Sequence, residues 1–146
     1  MKQPGALIVL FIFVAAVSFA LASEQYNSSR QLKATLTGAA EVPGPGDADG
    51  TGRATLTLSA GKNQICYELA ASNIGNATAA HIHSGAADVA GPVLVMLKAP
   101  ENGSAKGCVS LEQEKIMDII KNPDHYYVNI HNADFPDGAV RGQLSK

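Results

Sequence analysis

The sequence predicts an all-β domain, an antiparallel β-sandwich or barrel with one short helix near residues 111–121. Three observations predict it. Apolar and polar residues alternate with a period of two along several segments, turn-forming Gly, Pro, Asn and Asp residues separate those segments, and a single stretch shows helical periodicity. Alternation of this kind gives each strand one face for the core and one for solvent. Many short strands joined by such turns are typical of sandwiches and barrels.

The alternating segments place the strands along the chain. The predicted strands are residues 31–37, 53–59, 64–70, a segment around His81, 92–98, 126–132 and 139–144. Residues 92–98 are apolar on both faces, which predicts a more central strand. Met96, in this run, is therefore interpreted as a core residue in preference to an axial metal ligand. Asp137-Gly138 predicts the turn between the last two strands.

The helix has its own signals. Ser110 and Gln113 match a capping box, with Ser110 as the N-cap residue. Isoleucines at 116, 119 and 120 form one apolar face, and Asn122-Pro123 ends the helix.

The N-terminus has the pattern of a secretory signal peptide over residues 1–22. Lys2 precedes an apolar run, and Ala20-Leu21-Ala22 forms a cleavage site. An uncleaved anchor is the alternative, but the run is short for a bilayer span and no charge cluster follows it. We therefore expect a secreted or extracytoplasmic protein (periplasm or cell surface), without a membrane span after cleavage. Residues 23–30 would form a flexible segment and residues 31–146 a single domain.

Charge and cysteine content narrow the classes further. The net charge is −2 and no basic patch occurs, so a nucleic-acid partner is not expected. Cys66 and Cys108 are the two cysteines, and in an oxidising compartment they favour one disulfide. The alternative is that one of them serves as a thiolate ligand beside the histidines.

Three histidines form the candidate site. His81 and His83 are two residues apart on a strand, so their side chains share a face. His131 belongs to a later strand and lies on the face of that strand that is not apolar. Arg141 lies on the corresponding face of the last strand. If each apolar face meets the core, all four side chains point outward.

Three neutral imidazoles with an open fourth position suit a copper or zinc ion. Arg141 and Asn129 are candidates to support the ligands or guide an anion. Ordinary surface histidines are the alternative. His125 is interpreted as a surface residue, with a role as fourth ligand as the alternative.

At these residues the chain resembles the CHRD domain family, named for the extracellular growth-factor antagonist chordin. The words that carry the resemblance are Ala-Ala-His-Ile-His-Ser-Gly (79–85), Gly-Pro-Val (91–93), Tyr-Val-Asn-Ile-His-Asn (127–132) and Pro-Asp-Gly-Ala-Val-Arg-Gly-Gln-Leu (136–144). The resemblance spans roughly residues 32–144 and implies an all-β, immunoglobulin-like fold in an exported protein. Asn132 stands where the family usually has Thr, and Ala139 where it often has an acidic residue.

A weaker resemblance is to copper-zinc superoxide dismutase, and it implies a superoxide-dismutase-like antiparallel β-sandwich or barrel. The His-x-His strand, the downstream His, the late Arg and the single disulfide are similar, and they imply copper on the outside of a barrel. This sequence has no evident bridging His or zinc-binding loop, so a mononuclear site is the most that it implies.

Three functions remain open. The first is an exported protein that binds one copper or zinc ion through His81, His83 and His131. The second is an extracellular module that binds a protein partner without metal. The third is a redox enzyme of dismutase type. No hydrolase elbow of the G-x-S-x-G type occurs, and the sequence does not establish catalysis.

Overall fold

The computed structural model describes residues 29–146, which form eight strands, one α-helix and three short 3-10 helices. The strands and helix are β1 (Arg30–Thr37), β2 (Thr51–Ser59), β3 (Gln64–Ser72), β4 (Ala77–Ser84), β5 (Val93–Leu97), β6 (Ser104–Ser110), α1 (Gln113–Lys121), β7 (Tyr126–Asn132) and β8 (Val140–Gln143). The predicted signal peptide lies outside the described residues, as does most of the segment after it. Over residues 29–146, no helix is long and apolar enough to cross a membrane.

All eight strands belong to one antiparallel sheet in the order β5-β4-β7-β8-β1-β2-β3-β6. The sheet curls until its two edge strands, β5 and β6, approach each other. The hydroxyl of Tyr67 on β3 helps to hold this closure, because it accepts a hydrogen bond of 2.9 Å from the backbone N–H of Lys98, just after β5. The result is a nearly closed barrel with one short helix, which confirms the predicted fold class.

The alternating residues fill the barrel as predicted. Leu32 on β1 lies opposite Leu56 on β2, which lies opposite Tyr67 on β3, and all three side chains are buried. The helix α1 packs its apolar face, with Ile116 and Ile119 buried, against the end of the β2–β3 hairpin. With no Trp in the chain, aliphatic side chains supply most of the core.

The predicted capping box at the start of α1 is wrong. Ser110 is the last residue of β6, where it pairs with Gln64 of β3, so its backbone remains extended. The helix begins only at Gln113, with Glu112 as N-cap and no side-chain capping bond within the described residues.

The prediction of a central strand at residues 92–98 is also wrong. This strand, β5, lies at one edge of the sheet. Val95 and Leu97 face the core, but Met96 is 72% exposed, so it is not a core residue. The apolar pattern overstates burial here because one face of β5 keeps large apolar side chains in solvent. The neighbouring edge strand, β6, was not predicted, since its sequence offers only small and polar residues around Val109.

The predicted disulfide is confirmed. Cys66 and Cys108 lie directly opposite each other in the β3–β6 ladder and are joined by an S–S bond of 2.08 Å. The bond ties the unpredicted edge strand β6 to the sheet and fits an oxidising compartment. It also removes the alternative in which one cysteine is a thiolate ligand.

A buried carboxyl group lies beside the turn between β7 and β8. Glu41 is 5% exposed, and its carboxylate occupies the space that a β-carbon at Gly138 would need. Gly138 has φ 146°, so glycine is required there for conformation as well as for space. Burial raises the pKa of Glu41 to about 7, and the Arg141 charge opposes part of that rise.

Removal of the disulfide should destabilise the fold. The loop that it closes has a sequence separation of 42, so the double variant Cys66→Ala/Cys108→Ala should lose about 4 kcal/mol of unfolding free energy on the chain-entropy model. Urea denaturation measures the loss. The matched control is Glu68→Ala/Lys106→Ala, an exposed ion pair of 3.2 Å on the same two strands, which should cost at most about 1 kcal/mol. Equal losses of unfolding free energy in the two double variants would contradict a stabilising disulfide between Cys66 and Cys108.

The buried Glu41 should make stability depend on pH. Because its folded-state pKa is raised, its stabilising contribution is complete below about pH 4.5 and is lost as the pH rises toward 7. We expect the unfolding free energy of the wild type relative to Glu41→Gln to fall by up to about 3 kcal/mol over that interval. Urea denaturation of both proteins at several pH values measures the difference, in which other titrations cancel. A difference that does not change with pH would refute this prediction.

Candidate metal centre

The pairing of β4 with β7 brings the three predicted histidines together. His131 of β7 lies opposite Ala79, and Asn129 lies opposite His81. Ile82 and Ile130 from the same strands are fully buried in the core, so the histidines project from the outer face of the barrel, as predicted. One ring nitrogen from each of His81, His83 and His131 lies within 4.8 Å of the others.

Backbone carbonyl groups orient two of the rings. The Nδ1 atom of His83 is 2.8 Å from the carbonyl oxygen of Gly91, and Nδ1 of His131 is 2.9 Å from that of Pro136. Because a carbonyl oxygen only accepts hydrogen bonds, both Nδ1 atoms carry the proton and donate it. In the neutral ring, the lone pair then belongs to Nε2 of each residue, which is the arrangement found in metal-binding histidines.

The two Nε2 atoms have different surroundings. Nε2 of His83 is buried and has no hydrogen-bond partner among residues 29–146. Nε2 of His131 lies 3.0 Å from Nδ1 of His81 and 3.1 Å from Oδ1 of Asn129. Because Nε2 of His131 carries the lone pair, it accepts a hydrogen bond from Nδ1–H of His81, and only Nε2 of His83 is left without a partner among the described residues.

Burial disfavours the charged form of two of the three histidines, His81 and His131. It lowers the pKa of His81 to about 4, and the neighbouring His131 and His83 lower it further. Burial also lowers the pKa of His131, although the hydrogen bond to the Pro136 carbonyl opposes that effect. At neutral pH the rings of His81 and His131 are therefore neutral, and each keeps one ring nitrogen with a lone pair that can bind a metal ion.

The spacing can be compared with that of a metal site. Two nitrogens bound to one ion at about 2.0–2.1 Å are at most about 4.2 Å apart. The separation of 3.0 Å between His81 and His131 lies within this limit. The widest separation within the cluster, up to 4.8 Å, needs an inward shift of roughly half an ångström or more. Three ligands would leave a fourth position open.

Arg141 lies on the outer face, but it is covered. It is 1% exposed, and its Nη2 donates a hydrogen bond of 2.7 Å to the carbonyl of Ala86. Its guanidinium lies 3.4 Å from the centre of the Tyr127 ring, whose other neighbour is the parallel ring of His83 at 4.7 Å. Arg141 thus reaches His83, a candidate ligand, through the ring of Tyr127, and a supporting role for it stays a prediction. A role for it in guiding an anion stays a prediction.

Asn129 on β7 is the middle one of three side-by-side residues on neighbouring strands. It pairs with His81 on one side and with Arg141 on the other, and it is buried. Its Oδ1 atom lies 3.1 Å from Nε2 of His131, but two acceptor atoms cannot form a hydrogen bond, so a supporting role for Asn129 stays a prediction.

The sequence did not predict that a segment of the chain covers Arg141. Residues 85–91 fold back over the sheet, and a β-carbon at Gly91 would collide with the backbone of Ser84. A role for Tyr127 in the site was not predicted either, although it shares a strand face with Asn129 and His131. The Gly-Pro-Val word at 91–93 was the available signal for this close approach. His125 is exposed and lies outside the histidine cluster found among residues 29–146.

Of three comparisons with known proteins, only the one with family models found a match. The family model described as CHRD domain matches residues 32–144. A search of curated proteins and a search of solved structures each found no match. The matched range contains every described strand except the first residues of β1, together with all three histidines of the cluster. The chain belongs to the CHRD domain family.

Proposed function

We propose that this protein is an exported CHRD-domain protein that binds one copper or zinc ion through His81, His83 and His131. The observation that carries the proposal is the buried Nε2 of His83, which lacks a partner among the described residues and lies in a cluster with two other imidazoles.

An unpartnered buried nitrogen is costly. Leaving such an atom unsatisfied costs about 1–3 kcal/mol, and few occur in folded proteins. A metal ion would satisfy the lone pair of His83 and those of its two neighbours at once. The carbonyls of Gly91 and Pro136 support the same role, because they fix the tautomers that place a lone pair on Nε2 of His83 and of His131.

The residues of this chain determine what a bound ion would meet. Imidazole nitrogens suit both copper and zinc, and either ion would supply Lewis-acid chemistry, with redox chemistry for copper alone. His83 would be held rigidly between Tyr127 and the Gly91 carbonyl. His81 and His131 are partly exposed, so an ion would be reached from solvent on their side.

Export rests on separate support. The sequence of residues 1–22 has the three parts of a signal peptide, and the Cys66–Cys108 disulfide fits an oxidising compartment.

Metal content tests the binding proposal. Protein purified with copper or zinc and then desalted should retain about one ion per chain, measured by elemental mass spectrometry. His131→Ala removes one ligand, so it should weaken binding by more than about 100-fold, the upper range for loss of a supporting residue. His125→Ala is the matched control and should bind as the wild type does. Wild-type protein that retains no ion would reject the proposal and favour the metal-free interaction module.

Cell fractionation tests export. The chain should appear in the extracytoplasmic or secreted fraction with Ser23 as its first residue, as measured by intact-mass spectrometry. Leu10→Arg interrupts the apolar run and should leave uncleaved protein inside the cell, whereas Leu10→Ile should not. Uncleaved wild-type protein in the cytoplasm would contradict export.

A further inference from the structure

We propose that Met96 supplies a thioether ligand to the three-histidine cluster and that it makes the site selective for monovalent copper. This inference rests on the proposed function and goes beyond it by naming the ion and a fourth ligand.

The register of the sheet places Met96 beside the cluster. Met96 on the edge strand β5 lies directly opposite His81 on β4. Val95 and Leu97 on either side of it face the core, so Met96 points to the outer face, as His81 does. Directly opposed residues in an antiparallel pair have β-carbons about 4.5–5.5 Å apart. Met96 is thus the cross-strand neighbour of a candidate ligand.

The exposure of Met96 is unexplained by packing. At 72% it is the most exposed of the large apolar side chains in the described part of the chain. Because so few atoms pack on it, its three side-chain torsions are free to bring the sulfur to the His81 ring. An edge strand could carry a polar residue at this position without loss to the core.

The charges around the cluster favour a monovalent ion. Three neutral imidazoles and a thioether bring no negative charge, so the ion would keep its full charge in a partly desolvated site. The cost of desolvating an ion rises steeply with its charge, which disfavours divalent ions.

Of two nearby charges, the positive one acts in the same direction and the negative one is screened. Arg141 lies behind the cluster, stacked on Tyr127, and adds positive charge. Asp137, whose charge raises the pKa of His131, is exposed and therefore screened by solvent.

Ligand softness favours the same ion. Thioether sulfur is a soft donor that suits monovalent copper, and imidazole nitrogen also binds copper well. Zinc in proteins is bound by imidazole, thiolate and carboxylate groups, so Met96 would contribute little to its affinity. Met96 would therefore separate the two ions, whereas the histidines alone would bind either.

Competition with a chromophoric copper(I) chelator, under anaerobic conditions, tests the inference on the full-length chain. Met96→Leu keeps the size and the apolar character of the side chain and should weaken copper(I) binding at least about tenfold. Its affinity for zinc(II) should stay within about twofold of the wild-type value. Met117→Leu is the matched control, since Met117 is a partly exposed methionine on α1, and it should change neither affinity. X-ray absorption of the copper(I) protein should show a sulfur neighbour that Met96→Leu abolishes.

The outcomes distinguish this inference from the proposed function. If His131→Ala weakens copper(I) binding and Met96→Leu does not, the histidine site stands and the role of Met96 is overturned. If Met96→Leu weakens both ions equally, selectivity by the thioether is overturned. If the wild type binds neither ion, the proposed function fails, and this inference fails with it.

Discussion

The register between β4 and β7 is the constraint on which the candidate site depends. Side chains alternate between the two faces of a strand, so a slip of one residue would turn His131 into the core and Ile130 out of it. The buried Ile82 and Ile130 oppose such a slip, because exposing either of them would lose about 1.5–3 kcal/mol of apolar burial. The core therefore specifies the position of the histidines on the outer face, although none of them belongs to it.

The segment that covers part of the outer face sets the surroundings of the histidine cluster. Residues 85–91 cover the outer face, and the backbone that closes this cover provides the Gly91 carbonyl that orients His83. Under it, Arg141, Tyr127 and His83 stack in that order. An outer sheet face normally meets water, where a ring nitrogen would be hydrated. Here Nε2 of His83 is buried, and burial lowers the pKa of His81 and of His131.

Much of this arrangement could be predicted from local patterns. Alternation identified the faces of β1, β2, β3 and β7, and the compartment predicted the disulfide. The pairing of β4 with β7 could not be predicted, because it joins segments that are 50 residues apart, as in the contact of His81 with His131. The edge position of β5 was missed for a related reason. An apolar pattern shows what a strand could bury, but only the sheet order shows that Met96 lies on an edge strand, where most of its side chain is exposed in the described part of the chain.

The central claim is that lone pairs of the His81, His83 and His131 imidazoles converge on one ion. Nitrogen NMR of the histidine rings during zinc titration tests this claim most directly. The account predicts that the metal-free protein has the proton of His83 and His131 on Nδ1. It also predicts that the Nε2 resonances of both residues, together with one ring nitrogen of His81, shift together and saturate at one equivalent of zinc. Nε2 resonances that remain unchanged at saturating zinc would contradict it.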